Sequence, residues 1–209
     1  MTLIPFFVPR SLGGLTIVKQ AEATSTAETI DAPADIQAGD LLVLLDYAID
    51  AAEPTTVIPT DFTSIVNTTN SSSTKQIASY KIADGSEASA TLTGMTGLVI
   101  AKVLVVFRGS SAISTITAST PNAEITTGNP AAQSVTASAG TVPLIVFGCY
   151  GATGAIDPRT FTPDKDGETA SGTLLYLAWR IDNATGQDTS IDMDDEGTNV
   201  LQSFYLEAA

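Results

Sequence analysis

The chain has 209 residues, of which 23 are acidic and nine are basic, so its formal net charge is −14. Nucleic acids and anionic membrane surfaces attract basic patches, and this charge argues against both as partners. The chain has no histidine and one cysteine, which excludes His-dependent catalytic triads, His-containing metal sites and an intrachain disulfide. We expect no cofactor.

Residues 1–14 are predicted to form an extended arm, because Pro5 and Pro9 oppose helix formation. The segment lacks the basic start and unbroken apolar run of a signal peptide, so we expect a protein made in a cytoplasm. Its apolar side chains would be an aggregation hazard in water, which favours docking on a neighbouring subunit. Packing against the chain's own core is the alternative. The residues expected to dock are Ile4, Phe6, Phe7, Val8 and Leu12.

Residues 15–209 are predicted to form a single β domain. Apolar runs at 38–48, 98–107 and 142–150, and a strong strand at 173–181, indicate central strands. Shorter alternating segments supply further strands, whereas 117–133 and 151–172 are expected to be loops, and no window has a convincing helical period. The expected fold is an all-β, jelly-roll-like antiparallel sandwich of eight or more strands.

The two halves of this domain, about 30–110 and 130–209, resemble each other at a spacing of about one hundred residues. We therefore expect an internal duplication of two four-strand halves. The alternative is that strands of any sandwich share such patterns. The matching segments are 38–40 with 139–141, before an apolar run, and 80–84 with 179–183, at a strand end.

Two aromatic and one acidic feature are candidate binding sites. Tyr47 and Tyr150 end predicted strands beside loops, so their rings are possible ligand-stacking platforms, with a place in the core as the alternative. Asp192, Asp194 and Glu196 alternate before a glycine and are weak metal-ligand candidates, but the spacing lacks the glutamate of an EF-hand. A solvated hairpin tip is the alternative there, and also for the acidic turn at 164–168.

Four carboxylates cluster in sequence near the end of the first central strand. A carboxylate pair can hydrolyse a glycosidic bond only at a defined separation, and nothing in this spacing defines one. Loop solubility and turn capping are the alternative roles, and we expect no enzyme. The four are Asp46, Asp50, Glu53 and Asp61.

Four segments resemble β-sandwich modules in virion proteins of tailed bacteriophages, both tail-fibre or receptor-binding modules and head decoration or cement proteins. They are 36–43 (IQAGDLLV), 59–63 (PTDFT), 80–87 (YKIADGSE) and 105–109 (VVFRG). The resemblance covers about residues 30–110 and, more weakly, the second half, and its motifs mark strand ends and turns.

The resemblance implies a non-catalytic structural protein of the virion, on the capsid exterior or in the tail. Its partners would be other virion proteins and copies of itself, as a trimer or dimer. A carbohydrate- or receptor-binding module of a phage fibre is the alternative, and a secreted glycan-active enzyme is a third hypothesis.

Overall fold

The computed structural model describes residues 17–70 and 73–118, and beyond them the strand segments 122–127, 133–135, 142–149, 165–169, 175–182, 187–189 and 198–208. The predicted arm residues Ile4, Phe6, Phe7, Val8 and Leu12 lie outside these ranges. Nothing in the described part of the chain is a helix long and apolar enough to cross a membrane.

The described residues form fifteen strands, so the predicted all-β class is confirmed, with antiparallel sheets consistent with a β-sandwich. The strands are β1 (Ile17–Ser25), β2 (Thr29–Asp31), β3 (Leu41–Ile49), β4 (Thr63–Asn70), β5 (Thr74–Ile82), β6 (Thr91–Thr93), β7 (Val99–Gly109), β8 (Ile116–Ala118), β9 (Asn122–Thr127), β10 (Gln133–Val135), β11 (Val142–Cys149), β12 (Lys165–Thr169), β13 (Leu175–Asp182), β14 (Gln187–Thr189) and β15 (Thr198–Ala208).

The first sheet has the strand order β1-β7-β3-β5-β4. Its middle strands, β3 and β7, are apolar on both faces, as a strand covered on both sides must be. Successive side chains point to opposite faces, so Leu41, Val43 and Leu45 face one side while Leu42 and Leu44 face the other. All five are at most 1% exposed.

The two faces of this sheet are covered differently. On the inner face, β3 and β7 pack with Phe204 and Leu206 of β15, which places the first sheet against the second. On the outer face, Leu44 and Leu104 pack with Ile30 of β2, so the short β2–β6 ribbon covers that side. The outer face therefore meets elements of its own half, and the inner face meets the other half.

The second sheet repeats the connectivity of the first. Its order is β12-β13-β11-β15, with β9 and β8 both paired to β15. The strands β12, β13, β11, β15 and β9 thus take the places of β4, β5, β3, β7 and β1, and the β10–β14 ribbon takes the place of β2–β6. An internal duplication would produce this repetition, with seven described strands in each repeat, β1–β7 and β9–β15, where the sequence predicted four.

Two strands lie in segments that were predicted as loops. These are β9 (NAEITT) and β12 (KDGET), both mostly polar, and β12 includes most of the predicted acidic turn at 164–168. Among the described strands, β9 is paired with β15 and β12 with β13. An edge strand is paired on one side only and does not need the apolar pattern by which central strands are detected.

Truncating the central strands should destabilise the fold strongly. We expect Leu44→Ala and Val105→Ala each to lower the free energy of unfolding by about 1.5–4 kcal/mol, because each leaves a cavity at a buried position. The matched control is Leu98→Ala, since Leu98 is 77% exposed, and its effect should stay within about 0.5 kcal/mol. Denaturant unfolding measures all three, and a loss at Val105 no larger than at Leu98 would contradict the sheet packing.

Candidate functional site

Tyr47, a predicted ligand-stacking residue, lies inside the sandwich. It is 2% exposed and belongs to the inner-face cluster, on the same side of β3 as Val43 and Leu45. A ring held in the core cannot stack on a ligand at the surface, so its burial corrects the predicted binding role. The other candidates, Tyr150, Asp192, Asp194 and Glu196, lie outside the described residues.

The four clustered carboxylates are separated by the fold. Asp46 is buried in the sheet, and Asp50 accepts the N–H of the residue that follows it. Glu53 and Asp61 contact different lysines. Each carboxylate therefore has a different local contact. Their contacts, in chain order, are Lys102, the N–H of Ala51, Lys75 and Lys81.

Asp46 and Lys102 form an ion pair in which both side chains are buried. The antiparallel register of β3 and β7 places them directly opposite each other, and Lys102 Nζ lies 2.6 Å from Asp46 Oδ1. Their side chains are 3% and 0% exposed. Both point to the outer face, since residues two away, such as Leu44, do so.

Met95 binds both members of this pair. Its N–H donates to Asp46 Oδ2 at 2.7 Å, and its carbonyl accepts from Lys102 Nζ at 2.9 Å. Gly94 approaches so closely that a Cβ there would overlap Asp46 Oδ2 and lie 2.7 Å from Lys102 Nζ. The ion pair thus fastens the segment between β6 and β7 to the sheet, and only glycine fits beside it.

Burial shifts both groups towards their neutral forms. Desolvation raises the pKa of Asp46 and lowers the pKa of Lys102, while their mutual attraction and hydrogen bond oppose both shifts. The negative charge of the exposed Glu28 also opposes the lowering of the Lys102 pKa. Since an isolated buried ion carries a desolvation penalty of several kcal/mol, neither charge is tolerable without the other.

A second ion pair closes one end of the first sheet. Arg108 binds Asp40 through two parallel hydrogen bonds of 2.7 Å, from Nε to Oδ1 and from Nη2 to Oδ2. We call this contact the Arg108 clamp. Nη2 also donates to the carbonyl of Asp35, and Asp40 Oδ2 accepts the N–H of Gln37. The hydrogen bond to Asp40 raises the pKa of Arg108, so the guanidinium stays charged.

The backbone is tied together at the same corner. Gly39 adopts a φ of +88°, which favours glycine, and a Cβ there would meet Ala112. The Gly39 N–H donates to the carbonyl of Ala83, and the Ala83 N–H donates to the carbonyl of Asp40, both at 2.8 Å. The Gly39 carbonyl accepts the N–H of Ile113. Three separate segments therefore meet at Gly39.

Two lysines of β5 hold neighbouring loops. Lys75 Nζ donates to Glu53 Oε1 and to Thr56 Oγ1, each at 2.6 Å, which attaches the loop after β3. Lys81 Nζ lies 2.5 Å from Glu87 Oε1 and 3.9 Å from Asp84 Oδ2, in the turn that follows its own strand.

Within residues 20–69 and 73–118, every lysine and arginine is thus used to hold the fold. The described residues contain no group of three side chains suited to binding a metal ion. Their surface has a pocket of about 120 Å³ beside the Arg108 clamp, and one of about 270 Å³ between residues 57–60 and β6. This arrangement can anchor loops and resist opening of the sheet.

The ion pairs were missed by sequence reasoning, although a signal was present. Asp46 and Lys102 each interrupt an apolar run that was predicted to be a buried strand. A charge inside a buried strand needs an opposite charge, so each could have been matched to the other. Their pairing depends on the strand register, which the sequence pattern does not specify.

Comparison with known proteins identifies no relative. No protein-family model matches the chain, and neither a curated protein nor a solved structure matches it. Its function must therefore be inferred from its own residues and contacts.

We expect Gly94→Ala to destabilise the protein by about 1–3 kcal/mol, because the added methyl group overpacks against the buried ion pair. The control is Thr93→Ala at the neighbouring, exposed position, with an effect within about 0.5 kcal/mol. Chemical unfolding of the two variants makes the comparison. Equal stability of the two would show that Gly94 does not enclose Asp46 and Lys102.

Stability should fall in acid partly through Glu53. The hydrogen bond and charge of Lys75, together with Thr69, lower the pKa of Glu53 in the folded protein. The contact therefore stabilises the fold above the ordinary glutamate pKa of 4.5, and this contribution is lost as the pH falls through the lower folded pKa.

Glu53→Gln should accordingly lower stability at neutral pH and flatten its decline in acid. Lys75→Gln should flatten the same part of the curve. The double variant should flatten it no further, because all three variants remove the same interaction. Unfolding free energies measured across the acid range provide the test. A Glu53→Gln curve parallel to that of the unchanged protein would contradict the assignment.

Proposed function

We propose that the chain is a non-catalytic structural protein of a tailed-bacteriophage virion, added to the capsid exterior or built into the tail. The observation that carries the proposal is the use of the charged side chains. Lys75, Lys81, Lys102 and Arg108 are each paired with a carboxylate that belongs to the fold. Catalytic sites instead present perturbed titratable groups to a cleft.

The phage-like motifs support a structural role because of where they meet. The segments 36–43, 80–87 and 105–109 come together at the corner closed by Asp40 and Arg108. There the Gly39 N–H donates to the carbonyl of Ala83, the Ala83 N–H donates to the carbonyl of Asp40, and Lys81 binds Glu87. The motifs that resemble virion modules thus form one clamp across the sheet end, and their side chains face each other.

The charge balance supports a position on the outside of a particle. Within residues 20–69 and 73–118 the lysines and the arginine are paired with carboxylates, and the exposed charges outside these pairs are carboxylates such as Glu28 and Asp35. A surface of one sign stays soluble at the high local density of a lattice and is repelled by packaged nucleic acid. Other virion proteins and further copies of the chain, as a trimer or dimer, are the proposed partners.

A receptor-binding module of a phage fibre is the second candidate. The observation that favours it is the 270 Å³ pocket between residues 57–60 and β6. It combines the apolar Val57 and Leu92 with threonines 60, 91 and 93, a lining that could hold a small polar ligand such as a sugar unit. With Tyr47 buried, this pocket is a better candidate for such a ligand than the predicted aromatic platform.

The test is whether the chain is incorporated into phage particles. Tailed phages that encode it should carry the full chain after extensive washing, and immunogold labelling should mark one region of the particle. A variant lacking residues 1–12 should melt at the same temperature as the full chain but no longer enter particles, because the predicted arm contacts a neighbour. The control, Thr2→Ala with Ser11→Ala, keeps every apolar arm residue and should be incorporated normally.

Absence of the full chain from washed particles would overturn the virion assignment. If the shortened variant melts at a lower temperature and still enters particles, the arm belongs to its own core. Specific glycan binding that is lost on Leu92→Ala would favour the receptor-binding candidate.

A further inference from the structure

The Asp46–Lys102 contact holds an amine nitrogen against a carboxylate. Lys102 Nζ lies 2.6 Å from Asp46 Oδ1, which is bonded to the Cγ that an amide bond would join. The two side chains come from directly opposed positions of adjacent strands, so the sheet fixes their approach. A nucleophile held against its electrophile in this way gains a large effective concentration.

The surroundings of the pair exclude water. Neither side chain is more than 3% exposed, and Gly94 and Met95 cover them from the outer face. The apolar neighbours on this face include Ala48, Ile77 and Ile100, which pack with Met95. Water is both the solvent that would stabilise the two charges and the reagent that would reverse a condensation, and this site excludes it.

Met95 already provides the hydrogen bonds that an amide would need. Its N–H points at Asp46 Oδ2, where a developing negative charge or a new amide carbonyl would lie, and its carbonyl accepts from Lys102 Nζ, where a new amide N–H would lie. The ammonium of Lys102 has three N–H groups, and the described residues provide partners for two of them, Asp46 and Met95. After condensation the Lys102 nitrogen would carry one N–H, and the Met95 carbonyl would remain its acceptor.

We propose that Asp46 and Lys102 form an intramolecular isopeptide bond. Lys102 Nζ passes a proton to Asp46 Oδ1, which gives a neutral amine and a carboxylic acid. The amine lone pair attacks Cγ, the charge on Oδ2 is held by the Met95 N–H, and Oδ1 leaves as water. Two of the three ammonium protons leave with that water, and the third remains on the amide.

The reaction needs no external reagent. The positive and negative charges cancel, one C–N bond forms and one C–O bond breaks. The raised pKa of Asp46 and the lowered pKa of Lys102 favour the neutral forms that react, while the charge of Glu28 acts against the second of these shifts. Replacing two buried ions by a hydrogen-bonded amide removes their desolvation penalty.

The chain contains a natural control for this chemistry. Lys75 Nζ and Glu53 Oε1 also lie 2.6 Å apart, but the Glu53 side chain is 54% exposed. The hydrogen bond and charge of Lys75 hold the pKa of this exposed carboxylate low, so the pair remains ionic. The contact distance is the same in the two pairs, whereas the exposure of the carboxylate differs.

A bond between Asp46 and Lys102 would tie β3 covalently to β7, the two middle strands of the first sheet. The chain between residues 46 and 102 would then form a closed covalent loop. Force or denaturant applied to either strand would not separate β3 from β7. This property is independent of whether the chain belongs to a virion, although a particle surface would benefit from it.

Mass spectrometry of the intact, denatured protein tests the proposal directly. The full chain should be lighter than its sequence by one water molecule. Trypsin should leave residues 20–75 and 82–108 joined as one branched species, because a modified Lys102 is not cleaved. Asp46→Ala and Lys102→Arg should both have their full sequence masses, whereas Glu53→Gln should still lack one water molecule.

A folded full chain whose mass equals that of its sequence would overturn the proposal. So would a water loss that persists in Asp46→Ala, or a branch that maps to Glu53 and Lys75. Because the main measurement uses the unchanged chain, it does not depend on whether the variants fold.

Discussion

The first sheet depends on one buried electrostatic contact, between Asp46 on β3 and Lys102 on β7. Two ions in an apolar layer are tolerable only while they face each other and have further polar partners. Met95 supplies those partners, and Gly94 leaves the space for them. The register of the two central strands and the path of the segment before β7 are therefore coupled, since a shift in either would leave a charge without its partner.

The other ion pairs extend the same principle to the sheet ends. Arg108 and Asp40 close the end at which β3 begins, and Lys75 with Glu53 holds the loop that follows β3. In each case a residue on a strand reaches a loop residue far away in sequence, so the contacts oppose opening of the sheet. Because these pairs are partly solvated, breaking one of them should cost less stability than breaking a fully buried ion pair.

The ion pairs of the described side chains lie in the first half of the sandwich. At the positions of the second sheet that correspond to Asp46 and Lys102, opposite each other on β11 and β15, the chain has Phe147 and Gln202. The same connectivity is thus compatible with a charged or an uncharged centre. We interpret the charged centre as a specialisation of the first half, consistent with a rigid structural role and with the proposed covalent bond.

The sequence by itself determined the fold class and the central strands. Long apolar runs predict β3, β7, β11 and β13, and glycines such as Gly39 mark the turns before them. These features are local, because a strand buried on both sides must be apolar wherever it lies. The edge strands β9 and β12 were missed, because pairing on one side leaves no such pattern.

Only the tertiary structure decided the roles of individual side chains. Tyr47 ends a strand beside a loop, yet the second sheet covers it through Phe204 and Leu206. Asp46 resembled its acidic neighbours in sequence, yet the register with β7 makes it the partner of Lys102. Burial and pairing depend on which residues from distant parts of the chain come together, and a periodic pattern of apolar residues defines the strands without defining their register or their neighbours.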